Sequence, residues 1–141
     1  MTMCEYIADA IAHAREASPE ESCGLVIVHK GRRRYFKCRN VYSNPEDGFV
    51  ISAEDWVLAD RAGEIIGVVH SHPDRRPLPS QADLVSCERS GLPWTIVNPI
   101  TEEFHVFEPS GYEAPLYGRE YSFGVLDCYT FVQDFYRINY G

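Results

Sequence analysis

From about Glu5 to Ala17, the apolar residues Ile7, Ala10, Ile11 and Ala14 recur at three- and four-residue spacing. This predicts a helix with one buried face, ended by Ser18-Pro19. The period then shortens. Leu25 to His29 and Arg34 to Asn40 are strand-like runs around Gly31, which together predict a hairpin. After the loop Asn44-Pro45-Glu46-Asp47-Gly48, Phe49 to Ile51 reads as a third short strand. Ser52 then caps a helix that runs to about Ala62 and stops at Gly63. Glu64 to His70 contains Ile65, Ile66, Val68 and Val69, a nearly continuous apolar run expected of a central strand buried on both faces. A loop with Pro73, Pro77 and Pro79 leads to a helix from about Ser80 to Ser90, then to strands near Trp94–Val97 and Phe104–Phe107. Helices and strands mix without strict alternation, so the expected fold is α+β with a largely antiparallel or mixed sheet.

Composition leaves this picture intact and narrows the function classes. The 141 residues are 45% hydrophobic and 24% charged, an ordinary balance for one globular domain with at most a fragment of another. Thirteen Lys and Arg against 21 Asp and Glu give a net charge of -8, which argues against a nucleic-acid partner. The basic run Lys30-Gly31-Arg32-Arg33-Arg34 reads as a charged hairpin tip. Cys4, Cys23, Cys38, Cys87 and Cys128 are odd in number and form no CxxC pair, so reduced thiols are expected. The N-terminus has neither a basic flank nor a long apolar run, and no stretch approaches the roughly 20 apolar residues of a membrane span. The reading is of a soluble protein made in the cytoplasm.

Glu108-Pro109-Ser110-Gly111 marks a boundary. It separates a main domain, residues 1–110, from a segment 111–141 that holds nine aromatics and a helix expected from Asp127 onward. So much unpaired aromatic surface favours association with the main domain, a further domain or a second copy of the chain.

The sharpest chemistry lies in His70-Ser71-His72-Pro73, followed after Pro79 by Ser80-Gln81-Ala82-Asp83. Side chains alternate along a strand, so His70 and His72 point to the same side and can share a metal. Asp83, one turn after Ser80, can join them if the loop folds back. Two imidazoles and a carboxylate make a three-ligand zinc site with an open fourth position, the catalytic arrangement. Taken singly, each residue has a plainer reading: a satisfied histidine, or a helix cap with an acid in its first turn.

With HxH, seven residues, Ser, two residues and Asp, the chain resembles the JAMM, or MPN-plus, metallopeptidases. Their upstream Glu commonly stands in an E-x-C-G setting, matched here by Glu21-Ser22-Cys23-Gly24. The resemblance implies a cytidine-deaminase-like mixed sheet flanked by helices. It implies zinc on His70, His72 and Asp83, Glu21 as general acid/base, and Ser80 as a stabiliser of the oxyanion. Cys23 is then a small packing residue behind Glu21. Tyr117-Gly118-Arg119-Glu120-Tyr121 and Gly124-Val125-Leu126-Asp127-Cys128-Tyr129 resemble the opening of an NlpC-type cysteine peptidase domain, with Cys128 at the nucleophile position. No His follows Cys128, which leaves that thiol catalytically silent within this chain.

The two motifs in this order are similar to the tail assembly protein K family of lambda-like phages. That resemblance implies a protein or peptide substrate, with a ubiquitin-like or tail protein as candidates, and other tail-tip proteins as partners. It implies residence in the host cytoplasm during assembly and at the tail tip in the virion. The alternatives are a structural tail-tip module whose metal site stabilises the fold, and a fragment of a cell-wall cysteine peptidase.

Overall fold

The computed structural model describes residues 2–117, with side chains from Glu5 onward. The aromatic segment beyond residue 117, its expected helix and Cys128 lie outside the described residues. The described chain forms two compact units, residues 2–78 with 92–107, and residues 79–91 with 108–117.

The first unit opens with helix α1 (Thr2–Ala17), then strands β1 (Cys23–His29) and β2 (Arg32–Cys38), helix α2 (Ala53–Ala62), and strand β3 (Glu64–Ser71). Strands β4 (Trp94–Val97) and β5 (Phe104–Phe107) complete it. The five strands form one sheet in the order β2-β1-β3-β4-β5. Only β3 and β4 run parallel; the other neighbours are antiparallel. The sheet is therefore mixed, and β3 is its middle strand, as its apolar run predicts.

Alternation along the strands assigns the two faces. Val26, Val69 and Val97 lie on one face and form the main apolar core with Tyr6, Ile7, Ala10, Ile11 and Ala14 of α1. A register shift between Val26 and Ile27 lets Ile66 join that cluster. The other face carries a row formed by paired residues on successive strands: Cys38, Cys23, His70, Ile96 and His105. Helix α2 covers part of it, with its buried Asp55 acting electrostatically on both Cys23 and Cys38.

Two expectations are corrected. Phe49 to Ile51 is not a strand; Ile51 makes only an isolated bridge with Asn40. The basic run is not all hairpin tip. The turn is Lys30-Gly31, both at positive φ (50° and 75°), as a two-residue hairpin of right-handed twist requires. Arg32, Arg33 and Arg34 belong to the edge strand β2, where charged side chains discourage pairing with other sheets.

The second unit contains helix α3 (Gln81–Ser90). Ser80 is its N-cap, and Gly91 closes it in the left-handed region at φ 68°, a conformation glycine adopts without strain. The Ser110 and Gly111 backbone N–H groups donate to the Glu88 carboxylate at 2.6 and 2.9 Å, tying the following chain to this helix.

Candidate metal centre

His70 lies at the end of strand β3 and His72 immediately follows it; both are fully buried, with ring centroids 5.1 Å apart. The residue between them faces the other way and has a different task. The Ser22 N–H donates to Ser71 Oγ at 2.8 Å, and the Ser71 N–H donates to the Ser22 carbonyl at 3.1 Å. These bonds continue the β1–β3 register beyond Cys23 and His70, and so bring Glu21 opposite His72. Thus the E-x-C-G and HxH segments, separated by some fifty residues of sequence, meet at one end of the same strand pair.

His72 is fixed on both sides. Its backbone N–H donates to the Val97 carbonyl at 2.9 Å, and its carbonyl accepts from Asn98 Nδ2 at 3.1 Å. Its Nδ1 lies 3.0 Å from the Arg76 carbonyl, which makes Nδ1 the protonated nitrogen and directs the lone pair to Nε2. A backbone carbonyl bonded to the far nitrogen of the ring is a usual way in which a metal-ligating imidazole is oriented. Asn98 also donates to the Arg75 carbonyl at 2.7 Å and accepts from the Ile100 and Thr101 N–H groups, so it anchors the loop after the HxH motif to the end of β4.

Glu21 is 2% exposed, with its backbone held by the Pro45 carbonyl and by Asn40 Nδ2. Arg75 reaches its carboxylate at 3.2 Å and also contacts Asp74 at 3.2 Å. A buried carboxylate needs such a counter-charge, because an unpaired one is strongly destabilising.

Ser80 and Asp83 make a reciprocal capping box on α3. The Asp83 N–H donates to Ser80 Oγ at 3.1 Å, and the Ser80 N–H donates to Asp83 Oδ2 at 3.0 Å. The plain reading of this pair as a helix cap is therefore correct. It is compatible with a second role, since a hydroxyl that accepts one bond still has a proton to donate, and a carboxylate has two oxygens.

Among the described residues, His70, His72 and Asp83 form a group that could hold a metal ion, with one ligand atom from each lying within 4.8 Å of the others. The donor set fits the zinc expectation, since two imidazole nitrogens and a carboxylate oxygen are standard ligands of that ion. His105 is not part of this group and stacks on Phe107 instead. Cys23 is fully buried, and its thiol is pushed far up, chiefly by burial and secondarily by Cys38, Asp55 and Glu21. That environment suits a packing residue and disfavours a nucleophile. Burial likewise pushes Cys38 up to about 12, and Cys87 up to about 11. The described cysteines, Cys23, Cys38 and Cys87, are all free thiols.

Residues 5–108 match the family of prokaryotic homologs of the JAB domain. The chain belongs to that family. This prokaryotic JAB domain is also similar to two phage proteins. It is 38% identical over 134 residues to the tail tip assembly protein K of Escherichia phage N15, covering 94% of this chain and 55% of the relative. It is 41% identical over 88 residues to the protein of the same name from Escherichia phage lambda, covering 62% of this chain and 42% of the relative. The chain thus spans about half the length of the curated relatives it matches. The solution structure of protein DSY2949 from Desulfitobacterium hafniense shares the fold, at 20% identity and a TM-score of 0.58 over 83% of this chain and 95% of that one. No helix among the described residues is long and apolar enough to cross a membrane.

Sequence reasoning named Glu21, His70, His72, Ser80 and Asp83 but missed Arg75, Asn98 and Phe49. Asn98 had a weak signal, an Asn-Pro pair closing an apolar strand. Arg75 and Phe49 had none, because each meets its partner across more than twenty residues.

Proposed function

We propose that this JAB domain is a zinc-dependent metallopeptidase or isopeptidase of JAMM type, acting in the assembly of a phage or prophage tail. The observation that carries the reading is the convergence of His70, His72 and Asp83 within 4.8 Å, with Glu21 buried at the same strand ends. A zinc ion held by those three residues would supply acidified water and polarise the scissile carbonyl. Glu21 takes the proton and returns it to the leaving amine, as a general base that becomes a general acid. For that it must exchange its Arg75 partner for the reacting groups. The Ser80 hydroxyl donates to the developing oxyanion, where a fixed donor is worth about 2.7–4 kcal/mol.

The similarity to tail tip assembly proteins supports other tail proteins as partners; the substrate in this reading is a protein or peptide, with a tail protein or one of ubiquitin-like fold as candidates. The similarity also supports a place in the host cytoplasm during assembly and at the tail tip afterwards. In this reading residues 1–110 are the JAMM-like domain and residues 111–141 open an NlpC-type domain.

The test is the zinc content of purified protein beside His72→Ala, together with cleavage of co-expressed tail proteins followed by mass spectrometry. About one zinc per chain is expected, lost in the variant. Glu21→Gln should keep the metal and lose cleavage. The Glu21–Arg75 ion pair favours a second reading, a structural tail-tip module with a silent base. Tail assembly that survives Glu21→Gln, with no cleavage by the parent, selects that reading.

A further inference from the structure

Phe49 directly follows the polar loop Asn44-Pro45-Glu46-Asp47-Gly48, and its ring stacks on the His70 imidazole at a centroid distance of 4.5 Å and an interplanar angle of 22°. Trp94 meets the same imidazole edge-on at 5.4 Å and 78°, and Phe49 at 5.5 Å. The imidazole is therefore held between a parallel ring face and a perpendicular one, the two arrangements aromatic pairs favour.

The loop is built to hold Phe49 there. Asn40 Nδ2 donates to the carbonyl of Gly48, the residue before Phe49, at 3.0 Å. Asn40 Oδ1 accepts from the N–H of Val50, the residue after it, at 3.1 Å. One amide side chain thus clamps the backbone on both sides of the ring. The same Asn40 Nδ2 donates to the Glu21 carbonyl at 2.9 Å, so the loop and the segment bearing the candidate base share one anchor. Gly48 matters to the geometry, since a Cβ there would lie 3.0 Å from the Tyr42 ring.

We propose that Phe49, clamped by Asn40, is a positioning residue of the metal centre, setting the plane of the His70 imidazole and shielding it from water. The inference rests on the metal reading above. Outer-shell groups that orient a ligand and control solvent access tune metal affinity. In this reading Phe49 acts through His70, on which its ring stacks.

The experiment measures zinc affinity of the full 141-residue chain by chelator competition, and the visible spectrum of the Co²⁺-loaded protein, for the parent, Phe49→Ala, Phe49→Leu and Ile11→Ala. Phe49→Ala should bind zinc about tenfold more weakly and shift the Co²⁺ spectrum. Phe49→Leu, which keeps apolar bulk without a flat face, should fall between and serves if the alanine variant does not fold. Ile11→Ala, a core change on the opposite face, should leave affinity and spectrum unchanged, which separates positioning from general loss of stability. Parent-like affinity and spectrum in the Phe49 variants would overturn the inference while leaving the metal centre standing. A parent chain that binds neither Zn²⁺ nor Co²⁺ would overturn both.

Discussion

On one face of the sheet, Val26, Val69 and Val97 meet Ala10, Ile11 and Ala14 of α1 in an apolar cluster. On the other face, one residue along on each of those strands, lie Leu25, Val68, His70 and Ile96, with Glu21 and His72 beyond them. Both faces are buried, but by different means. The α1 face needs only complementary shape, because burying apolar area is favourable whatever the partner. The opposite face buries a carboxylate and two imidazoles, each of which costs free energy until it is paired or ligated. The Arg75 guanidinium pairs with the Glu21 carboxylate and the Arg76 carbonyl with the His72 imidazole, while Asn98 and Asn40 hold the backbone carbonyls of His72 and Glu21. One sheet can thus keep a stable scaffold and a chemically loaded site a single residue apart.

The largest effect that would break this division is on the apolar side. Ile11→Ala should cost about 2–5 kcal/mol in urea unfolding and leave bound zinc per folded chain unchanged. Zinc lost in step with stability would mean that the two faces are not separable. A smaller effect is expected at Gly24, where a Cβ would collide with the Tyr35 ring. That ring cannot easily yield, because its hydroxyl is hydrogen-bonded to His13 Nδ1 at 2.6 Å. Gly24→Ala should therefore lower stability by about 1–3 kcal/mol, again measured in urea.

The smallest effect concerns pH. Burial, and then the Lys37 ammonium, hold the His13 pKa below its ordinary 6.5, against a weaker opposing pull from Glu16. Between the folded and unfolded values the unfolded chain binds more protons, so stability rises with pH there. The His13 contribution is present above 6.5 and is lost as pH falls through the lowered folded value. The urea midpoint should decline with acidification, and His13→Gln should remove part of that decline. An identical pH profile in the variant would contradict the assignment.

Most of the fold was legible because it follows local periods. The apolar spacing of α1, the continuous run of β3 and the cap before α3 all appear in the sequence as they appear in the structure. The failure at Phe49–Ile51 has a physical cause. The Val50 N–H and the Gly48 carbonyl are taken by the Asn40 side chain, so the backbone pairing made by the Val50 carbonyl and the Ser52 N–H goes no further than a single bridge, and the apolar run becomes a clamped loop. The basic run failed for a related reason, since only Lys30 and Gly31 need the left-handed backbone of the turn and the three arginines are free to extend the strand.

Sequence alone determined the parts of the site that local geometry encodes. Residues two apart on a strand share a face, which pairs His70 with His72, and residues three apart at a helix start share a cap, which joins Ser80 to Asp83. Only the tertiary structure decided what surrounds them. Arg75 on Glu21, Asn98 on the loop after His72, and Phe49 on His70 are contacts between segments 54, 26 and 21 residues apart. No local period specifies such pairings; strand register, the crossover between β3 and β4, and the Asn40 clamp bring them together.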